Sequence, residues 1–435
     1  MPMSAGGADK PKGGSRMVGV TRRTTAAMAA LAALGFAADA VAQQTIKIGV
    51  VYPLSGNAAS AGNYEKMAIE LAAEVANNGN AELAKILPFI SPTGGLPGLK
   101  GAKIQTVVAD NQGTPAAGAN QTLRLITQEK VVAVVGAYQS GITETTSAVA
   151  EKYGIPFVNP ESVAANLTER GFKWFFRITP VAADFARAYS TFLKEQKAAG
   201  KKVDAIAVVH ENTEYGNSVS SVIAEVFKKE GLNVSQNISY SANSTDVQPQ
   251  MLQLKEKNPD VVIFISYTSD AILYTKTMKE LNWKPAIMIA DDAGFNDPKY
   301  IKEMGSQVEG LISRTSFAAG KPGSVAAIFD DLYKKKTGGD GLEDVSGRGL
   351  QGMLVLLDAL NRAGSTEPAK IQAALMATDL KKDQMAAGYD GVKFDTKGQN
   401  TLASSIATQM RGGKYVPVWP KANATDDLIL PYKGW

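Results

Sequence analysis

The sequence predicts an α/β protein of two domains, each built on a parallel sheet. Short β-branched runs alternate with amphipathic helical patterns, the signature of strand–helix–strand crossovers. The alternation restarts near residue 184, and 435 residues exceed what one ordinary core holds.

The strands and helices follow in order. The run 46–51 is the first strand, closed by Pro53-Leu54-Ser55-Gly56. A helix over about 64–76 places Met67, Leu71 and Val75 on one face. Residues 80–100, rich in Gly and Pro, are expected to form a long surface excursion. A strand (103–110) and a helix (115–129) come next. After 160 a helical turn (162–170) and an apolar strand-like run (174–178) complete the first half. The second half alternates helix 184–197, strand 203–210, helix 215–229, strand 233–240, helix 247–257, strand 260–265, helix 269–281 and strand 286–290. The last third is less regular. It has strand patterns at 308–315, 392–395, 402–409 and 415–418, and helical ones at 324–336, 348–363 and 368–376.

The stretch 131–160 is the clearest unit. Val131 to Val135 is apolar and of strand length, a small-residue turn runs to Gly141, a helical pattern spans 142–152, and Gly154 stops it. A second strand, 155–158, ends in Asn159-Pro160. In open parallel sheets ligands sit beyond the carboxyl ends of strands, where helix N-termini point. Ser140-Gly141 falls there. Its amides and hydroxyl suit a small anionic group such as a carboxylate. Ser140 serves equally well as a plain helix N-cap.

The N-terminus has the pattern of a targeting segment. Basic residues Lys10, Lys12, Arg16, Arg22 and Arg23 precede an Ala-rich run, 26–38, and then Ala40-Val41-Ala42. That is a basic region, a short apolar region and a small-residue cleavage site, with cleavage expected after Ala42 and Met17 an alternative start. Arg22-Arg23 is a poor twin-arginine match, so general secretion is the expectation. Residues 1–42 hold five basic and two acidic residues, which leaves 41 basic against 40 acidic in the remainder. A near-neutral chain gives no electrostatic case for nucleic acid.

There is no Cys and a single His, His210, at the end of an apolar strand. Disulfides, thiol catalysis and thiolate metal sites are excluded. Zinc sites and Ser-His catalysis are disfavoured. No phosphate-binding loop is present. No cofactor and no metal are expected. Asp291-Asp292 follows a strand. The pair suits a metal, acid–base work or a ligand ammonium, or it is a solvated loop end.

Several strings converge on one family. The segment from about residue 45 onward resembles the type I periplasmic solute-binding proteins of ATP-driven importers, in the leucine/isoleucine/valine-binding branch. The matching strings are Ile46 to Gly56, Val134-Val135-Gly136 with Ser140, Gly154-Ile155-Pro156, Leu167 to Gly171 with Phe176-Arg177, and Tyr215-Gly216.

The resemblance implies a two-lobed fold, each lobe a parallel sheet flanked by helices, joined by a three-segment hinge. Lobe 1 would hold 43–183 and 316–403. Lobe 2 would hold 184–315 and 404–435. It implies a non-catalytic periplasmic monomer that captures a small polar solute, above all a branched-chain or other amino acid, and delivers it to a membrane permease. Alternatives within the resemblance are an amide, urea or aromatic-acid binder, or a ligand-sensing regulator. Ser140 matches the serine that binds the ligand carboxylate. Ser162 and Val163 fall where a carbonyl and a hydroxyl residue follow the next strand, and Val163 lacks the hydroxyl. Glu161 stands where glycine is common. Tyr215 and Tyr267 match an aromatic lid, and Asp292 matches the acid that takes the ammonium. Tyr138, Gln139 and Asp184 are expected to line the cleft.

Overall fold

The computed structural model describes residues 44–317 and 320–435. The segment expected to be removed on export, 1–42, lies outside the described residues.

Five parallel strands form the first sheet: β1 (Thr45–Tyr52), β2 (Lys103–Asp110), β3 (Ala133–Gly136), β4 (Phe157–Asn159) and β5 (Phe175–Arg177), in the order β2-β1-β3-β4-β5. β1 is flanked on both edges, Val50 beside Val108 and Val135, so its run is apolar almost throughout. Helices α1 (Ala59–Asn78), α2 (Pro115–Thr127) and α3 (Ser140–Tyr153) are its crossovers. Thr114 caps α2 by accepting from the Ala117 amide at 3.3 Å, with Pro115 at the first helical position. Gly154 ends α3 in the left-handed conformation, φ 63°, which a side chain would disfavour.

Helix α4 (Ala182–Ala198) leads to a second sheet. Its parallel part is β6 (Ile206–Glu211), β7 (Val234–Tyr240), β8 (Val261–Ile265), β9 (Ile287–Ala290) and β10 (Ile312–Thr315). The helices between them are α5 (Glu214–Lys229), α6 (Gln248–Lys257), α7 (Thr268–Glu280) and α8 (Pro298–Met304). The chain then returns to the first sheet through α9 (Val325–Thr337), α10 (Asp344–Ala363) and α11 (Pro368–Met376), and a small antiparallel pair, β11 (Asp379–Lys381) with β12 (Gly391–Lys393). It crosses once more to add β13 (Ile406–Arg411) and β14 (Lys414–Trp419), both antiparallel, giving the order β14-β13-β10-β9-β8-β6-β7. The chain therefore passes between the two sheets three times. The short helix α8 and the strand β11 escape the sequence reading because both are too brief to show a period.

Helix α10 is buried from Asp344 to Leu360 and packs along α1. Glycines on it allow the close approach. A Cβ at Gly352 would meet Pro160, and one at Gly349 would meet Glu65.

The expected surface excursion is instead part of the core. Leu83, Leu87, Phe89, Ile90 and Leu96 are all buried. The Gly95 amide donates to Ala76 O at 2.7 Å, and the Gly98 amide to Asn361 Oδ1 at 2.7 Å. Glycine and proline there shape tight turns that fold an apolar segment back over α1 and α10, which a compositional reading takes for a loop.

Candidate ligand-binding cleft

Two loops of the first sheet build one wall. After β3, the chain turns through Tyr138, whose φ of 74° is left-handed, and enters α3 at Ser140. The Ser140 and Gly141 amides are in the first turn of α3, where the helix supplies no acceptor. The Ser140 hydroxyl is buried and accepts only a long contact from the Ala164 amide, 3.4 Å. After β4, Asn159 Oδ1 accepts from the amides of Glu161 and Ser162 at 3.1 and 2.9 Å. Its Nδ2 donates to Ser162 O at 2.9 Å. This turn fixes Glu161, Ser162 and Val163. The Ser162 hydroxyl donates to Tyr138 O at 2.8 Å and lies 2.6 Å from Thr143 Oγ1, tying the two loops together. Arg177 holds the same loop from below through Ala164 O at 2.6 Å, and burial lowers its pKa to about 9.

The second sheet builds the opposite wall. Glu211, fully buried at the end of β6, accepts from Thr213 Oγ1 at 2.8 Å and from the Gly216 amide at 2.7 Å. It thereby sets the start of α5 and the position of Tyr215. The Tyr215 hydroxyl donates to Asp291 Oδ2 at 2.9 Å, and Tyr189 reaches Asp291 Oδ1 at 2.5 Å. Tyr267 ends the loop after β8. Its ring lies 5.3 Å from that of Tyr215 and 5.9 Å from that of Tyr138, so an aromatic layer spans the cleft.

An ion cluster closes the base. Arg314, on β10, pairs with Asp291 at 3.0 Å and with Asp292 at 2.6 Å, its guanidinium 3.3 Å over the Phe185 ring. Arg348, on α10, pairs with Asp292 at 2.9 Å, Asp344 at 2.9 Å and Glu161 at 2.8 Å. All of these groups are buried. Burial pushes the Asp292 carboxyl up to about 6, against the pull of the two arginines. Burial also raises Glu161 and Glu65 well above the carboxylate range.

The cavity between the two walls is small, about 20 Å³, enough for a water, and is partly open to solvent. Tyr138, Ser140, Glu161, Ser162, Val163, Tyr215, Tyr267 and Asp292 all line it, so eight of the ten residues singled out from the sequence converge here. Gln139 is buried immediately before α3 but is not among the lining residues. Asp184 is turned to another task. Its Oδ2 accepts from the Val181 amide at 3.0 Å at the start of α4, and its Oδ1 pairs with Arg187. A carboxylate at that helical position is drawn to the free amides of the first turn. Asp292 is not the free acid expected for an ammonium, because both arginines already engage it.

Arg314 and Arg348 escaped the sequence reading. The detectable signal is a lone arginine in a buried β strand and another in the glycine-rich run Gly347 to Gly352, where close helix packing leaves a long side chain one way to extend.

With the geometry in place, three comparisons bear on it. A periplasmic binding protein family model matches residues 45–414. The chain belongs to the periplasmic binding protein family. A curated relative, Leu/Ile/Val-binding protein homolog 7 of Brucella abortus (strain 2308), is 32% identical over 405 residues, covering 91% of this chain and 96% of the relative. Among solved structures, the leucine-binding protein LivK of Thermotoga maritima aligns at TM-score 0.72 and 23% identity, over 85% of this chain and 97% of that one. LivJ of Streptococcus pneumoniae, solved with isoleucine, aligns at TM-score 0.72 and 21% identity, over 89% and 100%. This binding protein is thus an α/β protein of the type I periplasmic class, a ligand carrier of the transport kind and not an enzyme.

Proposed function

We propose that this binding protein captures an α-amino acid between its two sheets and presents it, in the closed form, to the permease of an ABC importer. The observation that carries the proposal is the pairing across one cavity of the α3 N-terminus at Ser140 with buried carboxyl groups at Asp292 and Glu161. A helix N-terminus and a hydroxyl favour a carboxylate. Buried carboxylates favour an ammonium. The two ends of a zwitterion are thereby matched within one site. Tyr138, Tyr215 and Tyr267 cover it and exclude water, which strengthens both contacts.

In this reading residues 43–183 with 316–403 form one lobe and 184–315 with 404–435 the other, the three crossings acting as a hinge. Ligand favours closure by its greater affinity for the closed form. The 20 Å³ cavity fits a closed cleft, which must open to admit a ligand. The carrier acts as a monomer in the periplasm, after cleavage near Ala42.

Small-angle scattering of the purified protein tests closure. A saturating amino-acid mixture lowers the radius of gyration if the two sheets close on the ligand. An unchanged radius, with binding demonstrated in the same sample, contradicts the hinge mechanism.

A further inference from the structure

The site holds more acceptors than an α-ammonium group needs. Five buried carboxyl groups, those of Asp291, Asp292, Asp344, Glu161 and Glu65, surround two guanidinium groups, Arg314 and Arg348. The two arginines lie within ion-pair distance of four of these acids, and Arg314 Nη1 and Arg348 Nε make no hydrogen bond of good geometry there. Arg314 uses Nε on Asp291 and Nη1 on Asp292. Arg348 uses Nε on Glu161, Nη2 on Asp292 and Asp344, and Nη1 on Thr179 at 3.4 Å. The acids are not satisfied to the same degree. Glu161 is 4% exposed and lines the cavity. Apart from its ion pair with Arg348 it receives no hydrogen bond of good geometry on either oxygen. The Tyr138 hydroxyl is also buried and has no hydrogen-bond partner, and Tyr138 lines the same cavity. A buried acceptor left unpaired costs free energy until a donor reaches it. A ligand entering this cavity brings a donor within reach of its lining.

Building on the amino-acid reading above, we infer that Glu161 and the Tyr138 hydroxyl form a side-chain subsite for nitrogen donors, selecting amino acids whose side chain ends in an amide, ammonium or guanidinium group over branched aliphatic ones. The α-ammonium then shares Asp292 with Arg314 and Arg348, which already engage it, and Glu161 reads the distal N–H. A branched aliphatic side chain in this place buries Glu161 against carbon and leaves both polar groups unpaired. Sites built to hydrogen-bond a ligand group discriminate strongly against analogues that lack it.

The test compares near-isosteric pairs by titration calorimetry on the purified protein: asparagine with leucine, glutamine with methionine, and lysine with norleucine. In at least one pair the nitrogen-bearing member is expected to bind tenfold or more tightly than its partner, and Glu161→Gln is expected to reduce that preference severalfold. If leucine, methionine and norleucine bind as tightly as their partners, the inference fails while the amino-acid reading stands. If Glu161→Gln weakens both members of a pair equally, Glu161 positions the loop and does not read the ligand. If no member of any pair binds while another α-amino acid does, the inference fails and the amino-acid reading stands; if no α-amino acid binds, both fail. The wild-type comparison decides the matter even where the variant does not fold.

Discussion

The guanidinium of Arg348 forks onto Asp292, its Nη2 2.9 Å from Oδ2 and 3.1 Å from Oδ1, joining helix α10 to the loop after β9. This contact ties the first sheet's packing to the second sheet's strand ends at the floor of the cleft. It also explains how a carboxyl pushed up to about 6 by burial is kept in the interior.

Arg348→Met leaves Asp292, Asp344 and Glu161 buried without their cation. Breaking a buried pair by removing one partner costs about 3–5 kcal/mol. The midpoint of denaturant unfolding is expected to fall accordingly, and Asp292→Asn in the same background to recover part of the loss. A variant as stable as the parent would show that the cluster is solvated.

Ser140→Ala removes a hydroxyl from the α3 N-terminus and nothing else. The expected loss is about 1 kcal/mol of ligand binding, several-fold in affinity, with little change in unfolding of the free protein. Calorimetry with an amino acid that binds the parent checks this. Lost stability with unchanged affinity would reduce Ser140 to a helix cap.

Acidity is expected to stabilise the free protein mildly on the acid side of neutrality. Asp292 rises from 3.8 to about 6 and Glu343 from 4.5 to about 8, both through burial. Between those values the folded state holds protons that the unfolded chain has released. Stability therefore falls as pH rises through about 6 to 8. His210, lowered by burial, works the other way below its ordinary 6.5. The melting temperature should increase from pH 8 to about pH 6 and decline below about pH 4, where Asp110, Asp260 and Asp340, all lowered by their hydrogen bonds and ion pairs, become protonated. A melting temperature that climbs steadily from pH 6 to pH 8 would contradict the burial of these acids.

Gly98→Ala tests the refolded segment over α10. A Cβ there would lie 2.0 Å from Asn361 O, a backbone atom that cannot swing aside. Overpacking of this kind costs about 1–3 kcal/mol. The loss should appear in denaturant unfolding and leave ligand affinity untouched. An unaffected midpoint would mean that the 80–100 segment does not pack on α10.

The two large sheets were legible because each of their strands carries its own signal. β2 occupies the residues its period assigns, and α2, α3 and α5 differ from expectation only at their ends. The wall from Ser140 to Val163 was legible too, because a strand end followed by a helix start places its residues in space without further information. The ion cluster was not. Arg314 meets Asp291 and Asp292 because β10 lies beside β9 in the second sheet, and Arg348 meets Asp292 because of how α10 packs on the first sheet, tertiary facts with no local pattern. Asp184 failed for the opposite reason: a nearby helix start claimed its carboxylate. The 80–100 segment failed because tight turns and loose loops share the same composition, and only packing separates them.

The most direct test of the account is a thermal-shift screen of the purified protein against the common α-amino acids, each beside the acid that lacks its amino group. The account predicts that at least one amino acid raises the melting temperature in a concentration-dependent way, by about 2.7 kcal/mol of stabilisation at a hundredfold excess over its dissociation constant. Its deamino counterpart should have little effect. If the deamino acids stabilise equally, or no amino acid does, the matching of Ser140 and the buried carboxyl groups to a zwitterion is wrong.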